Sequence, residues 1–239
     1  MPSHEGTPLL EARGLRRSFG RARILHGIDL SLGPGEALAI IGPNGSGKTT
    51  LLRLLAGLMR PTAGEVFLAG QRLGRGTHEV RRAIGFVSHQ SLLYDDLTLL
   101  ENLTLTARLY LLQHPREVAR AALDAAGLVD RSEELPKRLS RGLLQRAAIA
   151  RSTLHDPSVL LLDEPFTGLD AAASTRLRGE LQARVSRGVT LVVVTHHLGD
   201  AWDLASRVAV LVGGRWAAEE PRSGTLDAFL PRYQRLAGV

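Results

Sequence analysis

The chain of 239 residues contains no cysteine, which excludes disulfides and thiolate-held metals and accords with a reducing compartment. Lysine is almost as scarce: of 30 cationic residues, only Lys48 and Lys137 are lysines. Long apolar runs are missing too. The longest, such as Ser158–Leu162 and Thr190–Val194, fall far below the ~20 residues a helix needs to cross a bilayer. The opening stretch Met1–Gly14 has no charged segment followed by an apolar core, so no secretory signal is read. A membrane role is therefore expected only through a partner. No low-complexity tract or repeat of solenoid length is visible.

Hydrophobic residues make up 44% of the chain and charged residues 23%, which is enough apolar material for a buried core. The net charge of +6 admits nucleic acid or an anionic membrane surface as partners. The arginines are scattered and not gathered in blocks, which reads as solvated helix faces, and no DNA-binding motif is present. No nucleic-acid partner is expected.

Alternating apolar residues in Ile24–Leu32 and the apolar run Ala37–Ile41 read as strands, the second running into the glycine-rich stretch Gly42–Gly47. Thr49–Leu58 has helical spacing and stops at Gly57 and Pro61. Short strands are expected at Glu65–Ala69 and Ile84–Ser88. Between Leu97 and Leu154 the pattern turns helical, with Thr98 and Glu101 at capping-box spacing. After Pro157 come a strand at Val159–Leu162, a helix near Ala171–Arg187, a strand at Thr190–Thr195, a short helix, and a strand at Val208–Val212. Strands alternating with helices predict an α/β fold with a largely parallel sheet. Trp202 and Trp216 read as packing residues.

The stretch Gly42-Pro43-Asn44-Gly45-Ser46-Gly47-Lys48-Thr49 matches the phosphate-binding loop. Its glycines let backbone N–H groups wrap phosphates at a helix N-terminus, Lys48 reaches the β and γ phosphates, and the Thr49 hydroxyl suits Mg²⁺. The strand before it and the helix after it are the context the motif requires. In a chain that nearly always uses arginine, a compact ammonium at position 48 is pointed. Asp163 and Glu164 end a buried strand, where a metal and a hydrolytic water are handled separately: Asp163 suits the metal, Glu164 the water. Taken alone, either carboxylate could equally be a helix cap.

The segment Leu139-Ser140-Arg141-Gly142-Leu143-Leu144-Gln145-Arg146 resembles the signature of ATP-binding-cassette ATPases. The resemblance covers nearly the whole chain in the family's order: Phe19, the loop through Thr50, Gln90, the signature, Asp163-Glu164, Thr167-Gly168-Leu169-Asp170 and His196. It implies a phosphate-loop NTPase core with a largely parallel sheet and an antiparallel β-subdomain, spanning residues 1–90 and 157–239. Residues 91–156 are then an inserted α-helical subdomain carrying the signature. It also implies ATP and Mg²⁺ as cofactors and a head-to-tail pair of cassettes, each ATP held between one phosphate loop and the other copy's Ser140 and Gly142. By the same resemblance Phe19 stacks on adenine, Gln90 touches Mg²⁺ and the attacking water, His196 meets the γ-phosphate, and Asp170 belongs to the nucleotide site. Phe19 also reads as an ordinary buried strand residue. His197 competes with His196, and alignment through Thr195 favours His196. Two positions depart from the pattern: Arg141 replaces the first signature glycine, and Leu143 the following glutamine.

These motifs imply an ATPase subunit on the cytoplasmic face of a membrane, docked on separate transmembrane subunits through the surface between Gln90 and the helical insert. Val87–Thr98 and the Leu-Ser-Arg-Gly signature further resemble the ATP-binding subunit of the haem exporter of cytochrome c maturation. The alternatives are a cassette exporting lipid or drug, or a soluble cassette ATPase of DNA repair, translation or iron–sulfur assembly. A regulatory, non-catalytic chain is disfavoured because Lys48, Asp163, Glu164 and His196 are all present.

Overall fold

A computed structural model describes residues 7–74, 76–88, 90–196 and 198–238. Two sheets organise them. The first joins β2 (Ala22–Leu32), β1 (Leu10–Phe19), β4 (Ala63–Leu68) and β5 (Gln71–Arg72) in that order, with antiparallel neighbours. The second runs β10 (Arg215–Pro221), β9 (Arg207–Val212), β3 (Ala37–Ile41), β8 (Thr190–Val194), β7 (Val159–Asp163) and β6 (Ile84–Val87). From β9 to β6 every pairing is parallel, and β10 adds one antiparallel edge. Every residue of β3, β7 and β8 is buried, as expected of central strands covered on both faces.

The helices are α1 (Lys48–Leu55), α2 (His78–Arg81), α3 (Leu99–Leu109), α4 (Pro115–Ala125), α5 (Arg141–Thr153), α6 (Ala171–Ser186), α7 (Leu198–Trp202) and α8 (Leu226–Ala237). One apolar cluster joins α1 to both sheets through Leu51, Leu55, Leu15, Ile28, Ile40 and Leu161. A second covers the opposite face with Phe166, Leu177, Leu181, Trp202 and Phe229. α3, α4 and α5 close on a separate centre built from Leu99, Leu103, Leu123 and Ala147.

The α/β reading holds, with local corrections. α1 ends at Leu55 and not Leu58, because Gly57 takes a left-handed φ of 65°. β4 starts at Ala63 and ends before Ala69, which turns at φ 47°. Alternation marks no strand over Leu10–Phe19 as a whole, because shifts in the pairing of β1 after Ala12, Leu15 and Arg17 break it. The capping box forms as spaced, the Thr98 hydroxyl accepting from Glu101 N at 3.2 Å and Glu101 returning the bond to Thr98 N at 2.8 Å. Both tryptophans pack. Trp202 is buried, and Trp216 lies against the first cluster with its indole N–H on the Asp29 carbonyl at 2.8 Å.

Behind β6, His155 stacks on Tyr110 with centroids 3.8 Å apart and faces the Ile84 carbonyl at 3.3 Å. Burial pushes its pKa down to about 4; the Ile84 bond opposes this, Arg151 and Arg82 add to it, and Asp156 opposes it. The folded form thus binds a proton less readily than the unfolded chain, so its contribution is intact above ~6.5 and is lost as pH falls towards the folded value. A His155→Phe variant keeps the stack and is expected to lose less melting temperature than the wild type between those limits. Parallel curves would show that His155 does not set the acid sensitivity.

Candidate nucleotide site

The central strands β3, β7 and β8 end together, and the residues singled out from the sequence gather in the crevice beyond their carboxyl ends, where open α/β sheets bind ligands. β3 leads through Gly42–Gly47 into α1. Gly42 has φ 158°, and a Cβ there would lie 2.0 Å from the Leu211 carbonyl oxygen. Only glycine lets the loop lie this close to β9. Gly45 and Gly47 have φ of 78° and 102°, conformations that turn consecutive backbone N–H groups inward. The β9–β10 turn braces the loop from outside: Gly214 N donates to the Ser46 carbonyl at 3.1 Å, and His26 N to the Gly214 carbonyl at 3.0 Å. A Cβ on Gly214 would meet the Ile24 carbonyl oxygen at 2.0 Å. Sequence reasoning missed this support; the Gly213-Gly214 pair was its one visible sign.

Lys48 is buried, its ammonium donating to the Gly42 carbonyl at 2.7 Å and the Pro43 carbonyl at 3.0 Å. Burial pulls its pKa below the usual lysine value, and Glu164 and Asp163 act against that loss. The two carboxylates therefore face the loop closely enough to act on its one ammonium. Thr49 and Thr50 are half-buried at the start of α1, Ser46 is buried, and Pro43 to Gly45 lie at the surface side of the loop.

Asp163 closes β7 and is 2% exposed. The next residue, Glu164, has left-handed backbone at φ 54°, with its N–H on the Val194 carbonyl at 2.8 Å. A non-glycine residue held there stores roughly 1–3 kcal/mol of strain. That turn aims the carboxylate across the sheet end at β8. Oε1 receives His196 N at 2.9 Å and meets His196 Nδ1 at 2.6 Å, while Oε2 accepts from Thr195 Oγ1 at 3.0 Å. Thr195, passed over in the sequence, thus orients Glu164 jointly with His196. His197, its competitor, lies outside the described residues, as does His89 of the Val87–Thr98 segment.

Gln90 is exposed; its backbone N–H donates to Ser88 Oγ at 3.2 Å, and its carbonyl accepts from the same hydroxyl at 2.7 Å. Phe19 is 46% exposed, which removes the buried-strand reading, and one ring face carries the Arg17 guanidinium at 4.4 Å. Ser140 caps α5 by accepting from Leu143 N at 3.4 Å, and Asp170 caps α6 by accepting from Ala173 N at 2.7 Å. These two helix starts adjoin: Gly142 lies beside Gly168 and Leu169, and the Arg141 stem lies across Gly168. Gln145 Nε2 ties them further with a 3.1 Å bond to the Pro165 carbonyl. Leu143 packs on the helical cluster, which accounts for an apolar residue there.

A glycine-rich loop with its buried lysine, two strand-end carboxylates and a carboxylate-facing histidine thus meet in one crevice. The family model for ABC transporters matches residues 25–167. The chain belongs to the ABC transporter family. The aliphatic sulfonates import ATP-binding protein SsuB of Pseudomonas putida is 41% identical to this cassette, over 98% of this chain and 83% of its own length. The cytochrome c biogenesis ATP-binding export protein CcmA of the same species is also 41% identical, over 87% of this chain and 98% of its own. A dimeric bacterial ABC transporter cassette superposes with a TM-score of 0.83 at 30% identity, covering 90% of this chain and 100% of that one. A dimeric post-hydrolysis cassette bound to ADP and Pi gives 0.81 at 29%, with the same coverage. The chain is the ATP-binding, ATP-hydrolysing subunit of an ABC transporter.

Proposed function

We propose that the cassette drives export across a membrane by ATP-dependent closure of two copies, and that it serves a haem export system. Glu164 carries the chemistry: its strained backbone and contacts to Thr195 and His196 aim a carboxylate across the crevice from Lys48. In this reading Glu164 orients or deprotonates water, Lys48 and His196 meet the charge of the departing phosphoryl group, and Phe19 stacks on adenine. Ser140 and Gly142, at the start of α5, complete the site of the facing copy, and Asp170 fixes the adjoining loop. Residues 91–156 form a helical lobe on a nucleotide-binding core of residues 1–90 and 157–239.

A magnesium ion fits the oxygen donors Thr49, Asp163 and Gln90, since Mg²⁺ is commonly held by one or two carboxylates together with substrate phosphates. The described residues contain no group of three acidic, histidine or cysteine side chains that could cage a metal alone, which such a shared site does not need. When bound, the ion supplies charge neutralisation at the phosphates.

No helix among the described residues is long and apolar enough to cross a membrane. In this reading the cassette lies peripherally on the cytoplasmic face, held by membrane subunits. Leu92, Tyr94, Leu109 and Leu111 are 48%, 62%, 72% and 77% exposed, around the loop after Gln90 and the end of α3. Asn102 of α3 fixes that loop, accepting from Tyr94 N at 2.7 Å and donating to the Tyr94 and Leu97 carbonyls at 3.0 and 2.9 Å. Leu92 and Leu111 hold left-handed φ of 54° and 56°, a strained backbone presenting apolar side chains to solvent. This surface supports docking of membrane subunits.

For the cargo, support comes from Val87–Thr98, from the Leu-Ser-Arg-Gly signature, and from a match that spans almost the whole of the cytochrome c biogenesis relative. Glu164→Gln cassette, purified with ATP from detergent-solubilised source membranes, is expected to bring down membrane subunits of a haem export system. Membrane subunits of a sulfonate importer would replace the cargo, and soluble proteins or nucleic acid alone would overturn the transporter reading. The paired change Leu109→Asp and Leu111→Asp is expected to cut recovery of membrane subunits at least ~10-fold, since each places an unpaired carboxylate in an apolar contact. ATPase activity of the isolated cassette should persist. Unchanged recovery would place docking elsewhere.

A further inference from the structure

Away from the nucleotide crevice, a cleft of about 500 Å³ opens between α4, α5 and α6, within the range of small-molecule sites. Its floor is apolar, formed by Ala122, Ile149 and Leu177, with Ala121 and Ala125 of α4 leaving the wall low. Its rim is cationic: Arg146, Arg176, Arg184 and Arg187 surround Glu180, the one carboxylate among the described lining residues. Arg146 is committed, bonding the carbonyls of Ala126 and Gly127 at the end of α4. Arg184 is 4.0 Å from Asp156, at the limit of an ion pair. Arg176 on α6 and Arg187, which caps its C-terminus, are exposed, and neither guanidinium has a hydrogen bond or ion pair with any described residue. Burial pushes the Glu180 carboxyl up against the opposing pull of Arg184, Arg146 and Arg176, and the cationic excess of the rim is left uncompensated. An apolar trough edged by unpaired guanidinium groups complements a molecule with an apolar body and an anionic head.

We propose that this cleft binds a small amphipathic carboxylate, its apolar chain on the alanine-lined floor and its head on Arg176 and Arg187, and that occupancy slows ATP turnover. The second half follows from placement. Ser140 caps the start of α5 and Asp170 that of α6, so a molecule wedged between their bodies fixes the spacing of two helix starts that adjoin at the edge of the nucleotide site. Decanoate supplies both features of the ligand, decanol only the chain, and inorganic phosphate only the charge.

Calorimetric titration of the full chain is expected to show saturable, one-to-one binding of decanoate, at least ~10-fold tighter than decanol, because only decanoate makes charge-assisted contacts with the two guanidinium groups. Inorganic phosphate should not compete at equal concentration. Ala125→Phe, which fills the trough from an exposed helix position, should weaken decanoate at least tenfold; the paired change Arg176→Gln and Arg187→Gln should bring its affinity down to that of decanol. Saturating decanoate should lower phosphate release by the wild type but not by Ala125→Phe. Absence of binding, equal affinity for decanol, or binding untouched by Ala125→Phe would overturn the site. Binding with unchanged phosphate release would overturn its effect on turnover. Each of these is read on the isolated chain, independently of cargo and membrane partner.

Discussion

Glu164→Gln is expected to slow ATP turnover by roughly 10²–10⁴-fold while sparing ATP binding, the usual range for loss of a positioned general base. The geometry makes this substitution informative. The amide oxygen can still accept from Thr195 Oγ1 or His196 N, which now bond the carboxylate at 3.0 and 2.9 Å. The side chain therefore stays in place, and what is lost is the negative charge and the ability to take a proton. Removing a charge that faces Lys48 also relieves competition for its ammonium, so ATP affinity should hold or rise. Steady-state phosphate release and equilibrium binding of a fluorescent ATP analogue separate the two effects. Turnover close to wild type would sink the assignment of Glu164; loss of both turnover and binding would make it a structural residue of the crevice.

Why the site was legible before the fold follows from where its constraints lie. The phosphate loop is local: glycine spacing, Lys48 and the flanking apolar strand all fall in one short stretch, and each conformation it requires is written in residue type. The strands β3, β7 and β8 were equally plain, because a parallel strand buried on both faces must be apolar throughout. β1 was hidden by its own irregularities. Its register shifts place arginines where alternation expects apolar residues, and pairing with β2 and β4, not local pattern, makes it a strand. Thr195 and Gly214 were invisible for a related reason: each acts on a residue far away in sequence, Thr195 on Glu164 and Gly214 on Ser46. Phe19 shows the limit in the other direction. Sequence left it open between a buried strand residue and a ring that stacks on adenine; the ring is 46% exposed, at the end of β1 just before the turn at Gly20, where φ is 57°.

Lys48→Met is expected to weaken ATP binding by about 10²-fold, with adenosine binding little changed. Methionine keeps an unbranched apolar stem of similar reach, so the substitution removes the ammonium without opening much of a cavity. Contacts between a charged donor and an anionic acceptor contribute about 1.5–3 kcal/mol, or roughly one to two powers of ten in affinity. The β and γ phosphates that Lys48 is placed to reach are absent from adenosine, which is why the two ligands should respond differently. The cost to the nucleotide-free fold has two opposing parts. The Gly42 and Pro43 carbonyls lose bonds of 2.7 and 3.0 Å, whereas the desolvation that pulls the Lys48 pKa down is relieved. With the two nearly cancelling, the melting temperature should move by no more than about 4 °C, the shift ~1 kcal/mol produces in a chain of this size. A large fall in melting temperature with proportionate loss of adenosine binding would mean that Lys48 chiefly holds the loop together. Unchanged ATP affinity would mean that the loop's backbone N–H groups, and not Lys48, hold the phosphates.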